Sequence, residues 1–348
     1  MKKFALIAAL ALAVSLPQFF PAAASAAGKG TPDDPITWRM GGLYARGIGY
    51  GKTYETFAEA VKNLSGGRMV IDVIYDGEGV DAGQLLSAVR SGLLEAANPF
   101  QALHAGEFPA GIVDLGLPDG PENLMEIRAM YREGGWLEAV RKAYASIGIY
   151  YLGEAVNPGT FLLTKTPVNS LDDLRKMKIR CPGAYGKKLA NLNITPVTMA
   201  LSEVYTSLAS GLLDGVDGCT ILDHFDVKTY EMAKYLYPLP VANHQSIGLI
   251  ANLEAFNALP ADLKAILEAA TMLYSDDVLN KSVIWERDAL NEMIKAGLQY
   301  SPQPSPEDAK EWRAAGRKVW DEYAQTDAFS KELLDLQAKF LKDLGYEF

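Results

Sequence analysis

The chain has 348 residues, with 33 Lys and Arg against 43 Asp and Glu, for a net charge of −10. So acidic a protein is a poor nucleic-acid binder, because phosphate contacts need clustered cations. Two cysteines, Cys181 and Cys219, are too few for a disulfide scaffold. Spacing alone leaves open whether they pair with each other.

The first residues point to export. Lys2 and Lys3 precede an apolar run at 4–16, and Ala24-Ser25-Ala26 follows. That order predicts a secretory signal over 1–26, removed to leave a mature chain beginning near Ala27. The run is shorter than the roughly 20 residues of a permanent span, and no Cys follows it for lipid attachment. Loss of Lys2 and Lys3 takes the net charge from −10 to −12. The remaining length, about 320 residues, exceeds what one core usually supports, so two domains are expected.

Strands and helices alternate through the first part. A strand at 36–40 ends in Gly41-Gly42. A helix at 50–64 shows Tyr54, Phe57, Ala58, Val61 and Leu64 at helical spacing and stops at Ser65-Gly66-Gly67. A strand at 69–75 and a helix at 84–91, stopped by Gly92, follow. Asn98 ends the next strand before Pro99. This pattern predicts an α/β sheet covered by helices. Helices are expected at 123–136 and 137–147, and strands at 149–152 and 161–164 around Asn157-Pro158-Gly159. Ser170 reads as the cap of a short helix, with Asp173 three residues on. A strand at 178–180 is broken by Pro182-Gly183. After a helix at 203–210 comes a short strand at Val216. From Pro260 to Ala296 the helical pattern has no further Gly or Pro, which is long enough to bridge two domains. Pro302, Pro304 and Pro306 interrupt, and 307–340 is helical again.

Signatures of catalysis are not visible. His104, His224 and His244 have no metal-ligand spacing. There is no G-x-S-x-G elbow and no Walker A loop, and no G-x-G-x-x-G follows the first strand. The glycine-rich run at 47–51 precedes a helix and could hold an anion, although such runs are common for steric reasons. Nothing calls for an enzyme.

From Lys165 to Gly218 the chain reads KTPVNSLDDLRKMKIRCPG and then NITPVTMALSEVYTSLASGLLDGVDG. These segments resemble the extracytoplasmic solute-binding proteins of tripartite ATP-independent periplasmic (TRAP) transporters, the DctP-like family. FAEAVKNLSGGRMVIDVI, LLSAVRSGLLEA and NALPADLKAILEAA extend the resemblance. MYREGGWLEAVRKAYASIGIYYLG is similar to the 2-oxo acid, monocarboxylate-binding branch. The resemblance implies a two-lobed α/β periplasmic-binding-protein-like fold with a long helix spanning both lobes. The implied division is lobe I at 27–153, lobe II at 154–241, a return to lobe I with the start of the long helix at 242–282, and a return to lobe II at 283–348. It also implies a periplasmic receptor in a Gram-negative bacterium that delivers a small organic acid to membrane permease subunits, as a monomer or a dimer swapped through its C-terminal helix.

Arg180 matches the family arginine that holds the ligand carboxylate. A planar guanidinium suits that role, and the end of a strand is where α/β sheets bind ligands. Asp217 lies where the 2-oxo acid branch places a carboxylate beside a cation, sodium or calcium, so no cofactor is required but a bridging ion is implied at Asp217. Here Gly218 and Cys219 follow in place of an aromatic, and Asp217 could instead accept a hydrogen bond from a ligand amine or hydroxyl. Asn157 and Asn98 end predicted strands as polar cleft walls, or serve as turn residues. His244 lies where relatives place ligand-facing aromatics. His224 and Tyr44 are weaker candidates, and Tyr205 reads as core. A dicarboxylate or sugar acid would need a second cation, for which Arg46 is the candidate. A secreted enzyme or a ligand-sensing module are the readings from other classes.

Overall fold

The computed structural model describes residues 28–346; the expected signal at 1–26 lies outside them. The chain begins with β1 (Ile36–Gly42), α1 (Tyr54–Leu64), β2 (Met69–Ile74), α2 (Leu85–Arg90) and β3 (Ala96–Asn98). Three helices follow, α3 (Pro109–Leu115), α4 (Leu124–Glu133) and α5 (Trp136–Ala145), and then β4 (Ile149–Gly153). β5 (Val156–Thr160) leads into β6 (Leu163–Thr164), α6 (Leu171–Leu174), β7 (Lys178–Arg180), α7 (Gly183–Asn191), β8 (Thr195–Val197), α8 (Val204–Ala209), β9 (Gly215–Val216), α9 (Ile221–Asp226) and β10 (Tyr235–Leu236). The chain returns through β11 (Ala242–Ser246), β12 (Leu249–Asn252) and α10 (Leu253–Ala258). It ends with α11 (Ala261–Lys295), β13 (Gln299–Tyr300), α12 (Pro306–Tyr323) and α13 (Ala328–Asp343).

Two sheets define two lobes. The first has the order β2-β1-β3-β12-β4 and the second β13-β10-β6-β9-β7-β8. Each has a run of three parallel strands at one end, β2, β1 and β3 in one and β9, β7 and β8 in the other. Parallel strands need both faces covered, and the flanking helices supply the cover. Between the lobes, β5 and β11 form an antiparallel ribbon with Gln245 opposite Asn157.

Helix α11 runs 35 residues without a break, about 52 Å at 1.5 Å per residue. Leu263, Leu267, Ala270, Tyr274 and Val278 bury one stripe three and four apart. Against it α1 buries Tyr54, Phe57, Ala58 and Val61, and Phe57 meets Tyr274 edge-on at 6.2 Å. Each such side chain contributes about 1.5–3 kcal/mol on burial. The far end of α11 reaches the second lobe, where Glu286 accepts a hydrogen bond from the Leu222 backbone of α9.

The C-terminal region departs from the expected single helix. The chain breaks after α12, and Asp327 caps α13 by accepting the Ser330 N–H at 2.8 Å. The break sends the two helices to different lobes. α12 packs on α7 and is tied by the pairs Arg175–Glu311 and Lys187–Glu322. α13, expected with the second lobe, packs instead on α3 and α5 of the first, with Lys142–Glu332 at the contact. Ser170 makes no capping bond; Asp173 accepts the Asn169 N–H instead. Tyr205 is half-buried on the surface of α8, bonded to Glu231, and is not core.

Candidate functional site

Two neighbouring strands of the second lobe build the site at their C-terminal ends. β7 ends at Arg180 and β9 at Val216, joined where the Asp217 N–H donates to the Arg180 carbonyl at 2.7 Å. Beyond these ends the chain leaves the sheet, through Cys181-Pro182-Gly183 into α7 and through Asp217-Gly218-Cys219 into α9. Gly183 has φ +60, and a Cβ there would lie 2.9 Å from the Ala102 Cβ of the first lobe. The lobes are therefore closed on each other at this point.

Arg180 is 2% exposed. Its Nε donates to the Met199 carbonyl at 3.2 Å, Nη1 to the Asp217 and Gly218 carbonyls at 2.8 and 3.2 Å, and Nη2 to Met199 at 3.2 Å. These four bonds use four of the five guanidinium N–H groups, leaving one on Nη2. None of its hydrogen-bond or ion-pair partners is a carboxylate. The acids of the neighbouring helix have other cations, Asp172 with Arg175 and Asp173 with Lys176. Because the Nε edge is committed to Met199, the two-pronged grip expected of a free guanidinium is not open in this closed form.

Asp217 is fully buried behind Arg180. Its Oδ2 accepts from Thr160 Oγ1 and Cys181 Sγ, both at 3.3 Å, and its Oδ1 has no partner. Burial pushes its carboxyl up to about 6. Gly218 has φ +78, and a Cβ there would sit 2.8 Å from both Arg180 Nη1 and Pro182 Cδ. An aromatic cannot stand at that position in this conformation. Cys219 is buried with its Sγ 3.7 Å from Arg180 Nη1, and burial raises its thiol to about 12. Cys181 and Cys219 are both free thiols.

The remaining candidates divide. Asn157 is buried and its Oδ1 has no partner. Asn98 is committed within the first lobe: its amide donates to the Ile247 and Gly248 carbonyls and its oxygen accepts from Tyr54. His244 faces Gly116 and Gly120 and bonds the Pro121 carbonyl at 3.1 Å. Burial holds its imidazole down to about 4, so it is neutral. His224 is likewise held between Thr229 and the Phe161 carbonyl. Arg46 is exposed, stacked on Tyr75 and paired with Glu78.

A crevice between the lobes collects Tyr44 and Asp76 from the first lobe, Gln245 from the ribbon, and Arg180, Gly218 and Asp223 from the second. Gln245 and Asp223 were not legible as site residues. Gln245 adjoins His244 on a strand whose facing the sequence leaves undetermined. Asp223 reads as an ordinary helix-capping acid, and its Oδ2 does accept the Thr220 N–H. Yet its Oδ1 is buried without a partner, as is Gln245 Nε2. The glycine-rich run lies at the rim of the crevice. There the Gly49 N–H receives the Asp226 carboxylate at 2.8 Å, and Lys52 pairs with the same oxygen at 2.6 Å. The anion held by that run is thus a side chain of the opposite lobe.

A family model, bacterial extracellular solute-binding protein family 7, matches residues 44–327. A monocarboxylate 2-oxoacid-binding periplasmic protein from Nostoc sp. is 26% identical over 89% of this chain and 85% of its own. A TRAP transporter solute-binding protein from Bordetella bronchiseptica, solved with calcium and picolinate, superimposes with a TM-score of 0.82 at 24% identity, covering 89% of this chain and 93% of that one. One from Pseudoalteromonas atlantica, solved with sodium and pyruvate, gives 0.81 at 22% identity over 89% and 95%. In the present chain, Asp217 Oδ1 and Asn157 Oδ1 are among the buried oxygens without partners, as is Asp223 Oδ1. Among the described residues no group of three or more His, Cys, Asp or Glu could hold a metal. Calcium takes six to eight oxygens, so these donors do not make a site complete in itself; an ion here would need oxygens from the ligand.

Proposed function

The chain belongs to the bacterial extracellular solute-binding proteins of family 7, and from that premise we propose that it captures a small monocarboxylate on Arg180 and delivers it to a TRAP membrane permease. One observation carries the reading. Arg180 is a buried guanidinium whose hydrogen-bond partners are backbone carbonyls and the Cys219 thiol, none of them a carboxylate, at the edge of an interlobe crevice. Burying a guanidinium with no carboxylate hydrogen-bonded to it is costly, and an incoming carboxylate would supply that partner. The remaining Nη2 N–H is the donor that meets it. A charge-assisted contact of this kind contributes about 1.5–3 kcal/mol.

Arg180 is the only cationic side chain among the described residues lining the crevice. Arg46, the candidate second cation, is paired outside it. This supports one carboxylate over two, as do the pyruvate and picolinate of the structural neighbours. Closure of the lobes on the ligand is the signal a permease reads. Should an ion accompany the ligand, Asp217 and Asn157, each with a buried oxygen that has no partner, are the candidate protein ligands. The receptor works in the periplasm, and the packing of α13 on helices of its own chain supports a monomer. A thermal-shift screen across organic acids tests the proposal. Carboxylates should raise the melting temperature of the wild type and not of Arg180→Gln, whereas equal shifts in both would overturn it.

A further inference from the structure

We propose that the ligand carries an ammonium group beside its carboxylate, and that Asp223 is the residue that binds it. This rests on the carboxylate reading of Arg180 and adds the second recognition group. Asp223 lines the same crevice as Arg180 and is 3% exposed. Its Oδ2 is used by the Thr220 N–H, and Tyr44 Oη stands at 3.5 Å, too far for a strong bond. Oδ1 has no partner at all. A buried carboxylate oxygen left unmatched asks for a donor, because an orphaned acceptor costs free energy.

Charge decides which donor. The lining holds one cation, Arg180, against two carboxylates, Asp76 and Asp223. Burial, with Glu286 and Asp226 close behind, pushes the Asp223 carboxyl up to about 7, and a bound ammonium would hold it ionised. Of these neighbours, Asp226 is answered by Lys52, while Glu286 meets hydroxyl and amide donors, the Tyr50 hydroxyl and the Leu222 amide among them. A simple monoanion would satisfy Arg180 but leave Asp223 Oδ1 without a donor. A 2-amino acid or similar zwitterion satisfies both ends with no net charge. Gln245 Nε2, also without a partner, is a neutral donor for the remaining carboxylate oxygen.

The test is isothermal titration of the full receptor with matched 2-amino, 2-hydroxy and 2-oxo acids of three- to five-carbon skeletons, on wild type, Asp223→Asn and Arg180→Gln. The asparagine retains an oxygen for the Thr220 N–H, so α9 keeps its cap, and an unchanged apo melting temperature verifies this. The wild type is expected to bind the amino member of at least one set 10- to 100-fold more tightly than its oxo partner. Asp223→Asn should abolish that ratio while sparing the oxo acid. Equal or tighter binding of the oxo acid by the wild type, or a ratio unmoved in Asp223→Asn, overturns the proposal. If acids bind through Arg180 but show no amino preference, only this inference fails. If binding is indifferent to Arg180, or no acid binds, the carboxylate reading fails with it.

Discussion

Replacing Arg180 by Gln separates the two tasks of the guanidinium. In the apo protein the change orphans the Met199, Asp217 and Gly218 carbonyls, of which a glutamine amide can recover about one. Each buried orphan costs about 1–3 kcal/mol, while removing a desolvated charge returns several. The two nearly offset, so apo stability should move by no more than about 2 kcal/mol, a few degrees in melting temperature. Binding has no such compensation. Loss of about 1.5–3 kcal/mol weakens affinity roughly 10- to 150-fold. Ligand at 100 times its Kd stabilises the wild type by about 2.7 kcal/mol. After a hundredfold loss the same concentration supplies only about 0.4 kcal/mol. Differential scanning fluorimetry with and without ligand, confirmed by titration calorimetry, should therefore show a nearly unchanged apo transition and a vanished ligand shift. Arg180→Lys, which keeps the charge and loses the planar fork, should fall between. A glutamine variant that binds within threefold of wild type would refute the reasoning.

Other consequences can be measured directly. Gly218→Ala forces a Cβ onto Arg180 Nη1 at a positive φ and should cost about 1–3 kcal/mol of stability together with most of the affinity, read by urea unfolding and calorimetry. Asp226→Asn keeps an acceptor for the Gly49 N–H but loses the charge opposite Lys52; the closed form should weaken by about 1 kcal/mol, giving a several-fold higher Kd and a larger radius of gyration with ligand bound. Burial raises the Asp114 carboxyl to about 7 from the usual 3.8. The folded state therefore holds this proton more tightly, and its contribution is complete below about pH 4 and lost as pH rises to 7. Asp114→Asn should accordingly gain stability relative to wild type at pH 8 and lose that advantage at pH 4, measured by thermal melts. Removing sodium and chelating calcium should leave the affinity for an amino acid unchanged and reduce that for a 2-oxo acid, since only the latter lacks a cation of its own.

Much of this architecture is written in local pattern. The helix α11 follows from an uninterrupted apolar stripe after Pro260, and Arg180 from its place at the end of a strand before Pro182-Gly183. What failed to show has specific causes. Helix α7 begins at a Pro-Gly pair that reads as a turn, because the reason for the glycine is a close approach to Ala102 from 81 residues earlier. Strands β11 and β12 are too short for alternation to reveal which side chain faces the crevice, so His244 stood out by its chemistry while Gln245 beside it lines the cleft. Asp223 shows the same limit. Its capping role is local and legible, but its second oxygen acquires meaning only when Tyr44 and Gly49, from one distant loop, and Arg180, from another segment, are brought together with it.

The route of the chain bears on how the lobes can move. It passes between them four times, through β5, β11, α11 and the turn joining α12 to α13. One strand would be a swivel and two a flat strap, each leaving the lobes free to twist as well as fold. Four attachments suppress the twist that one or two would leave free. On such a linkage every ligand that seats at all must bring the lobes to the same end point. A partner touching both lobes from outside then meets only two shapes, shut and not shut, whatever the identity of the acid within.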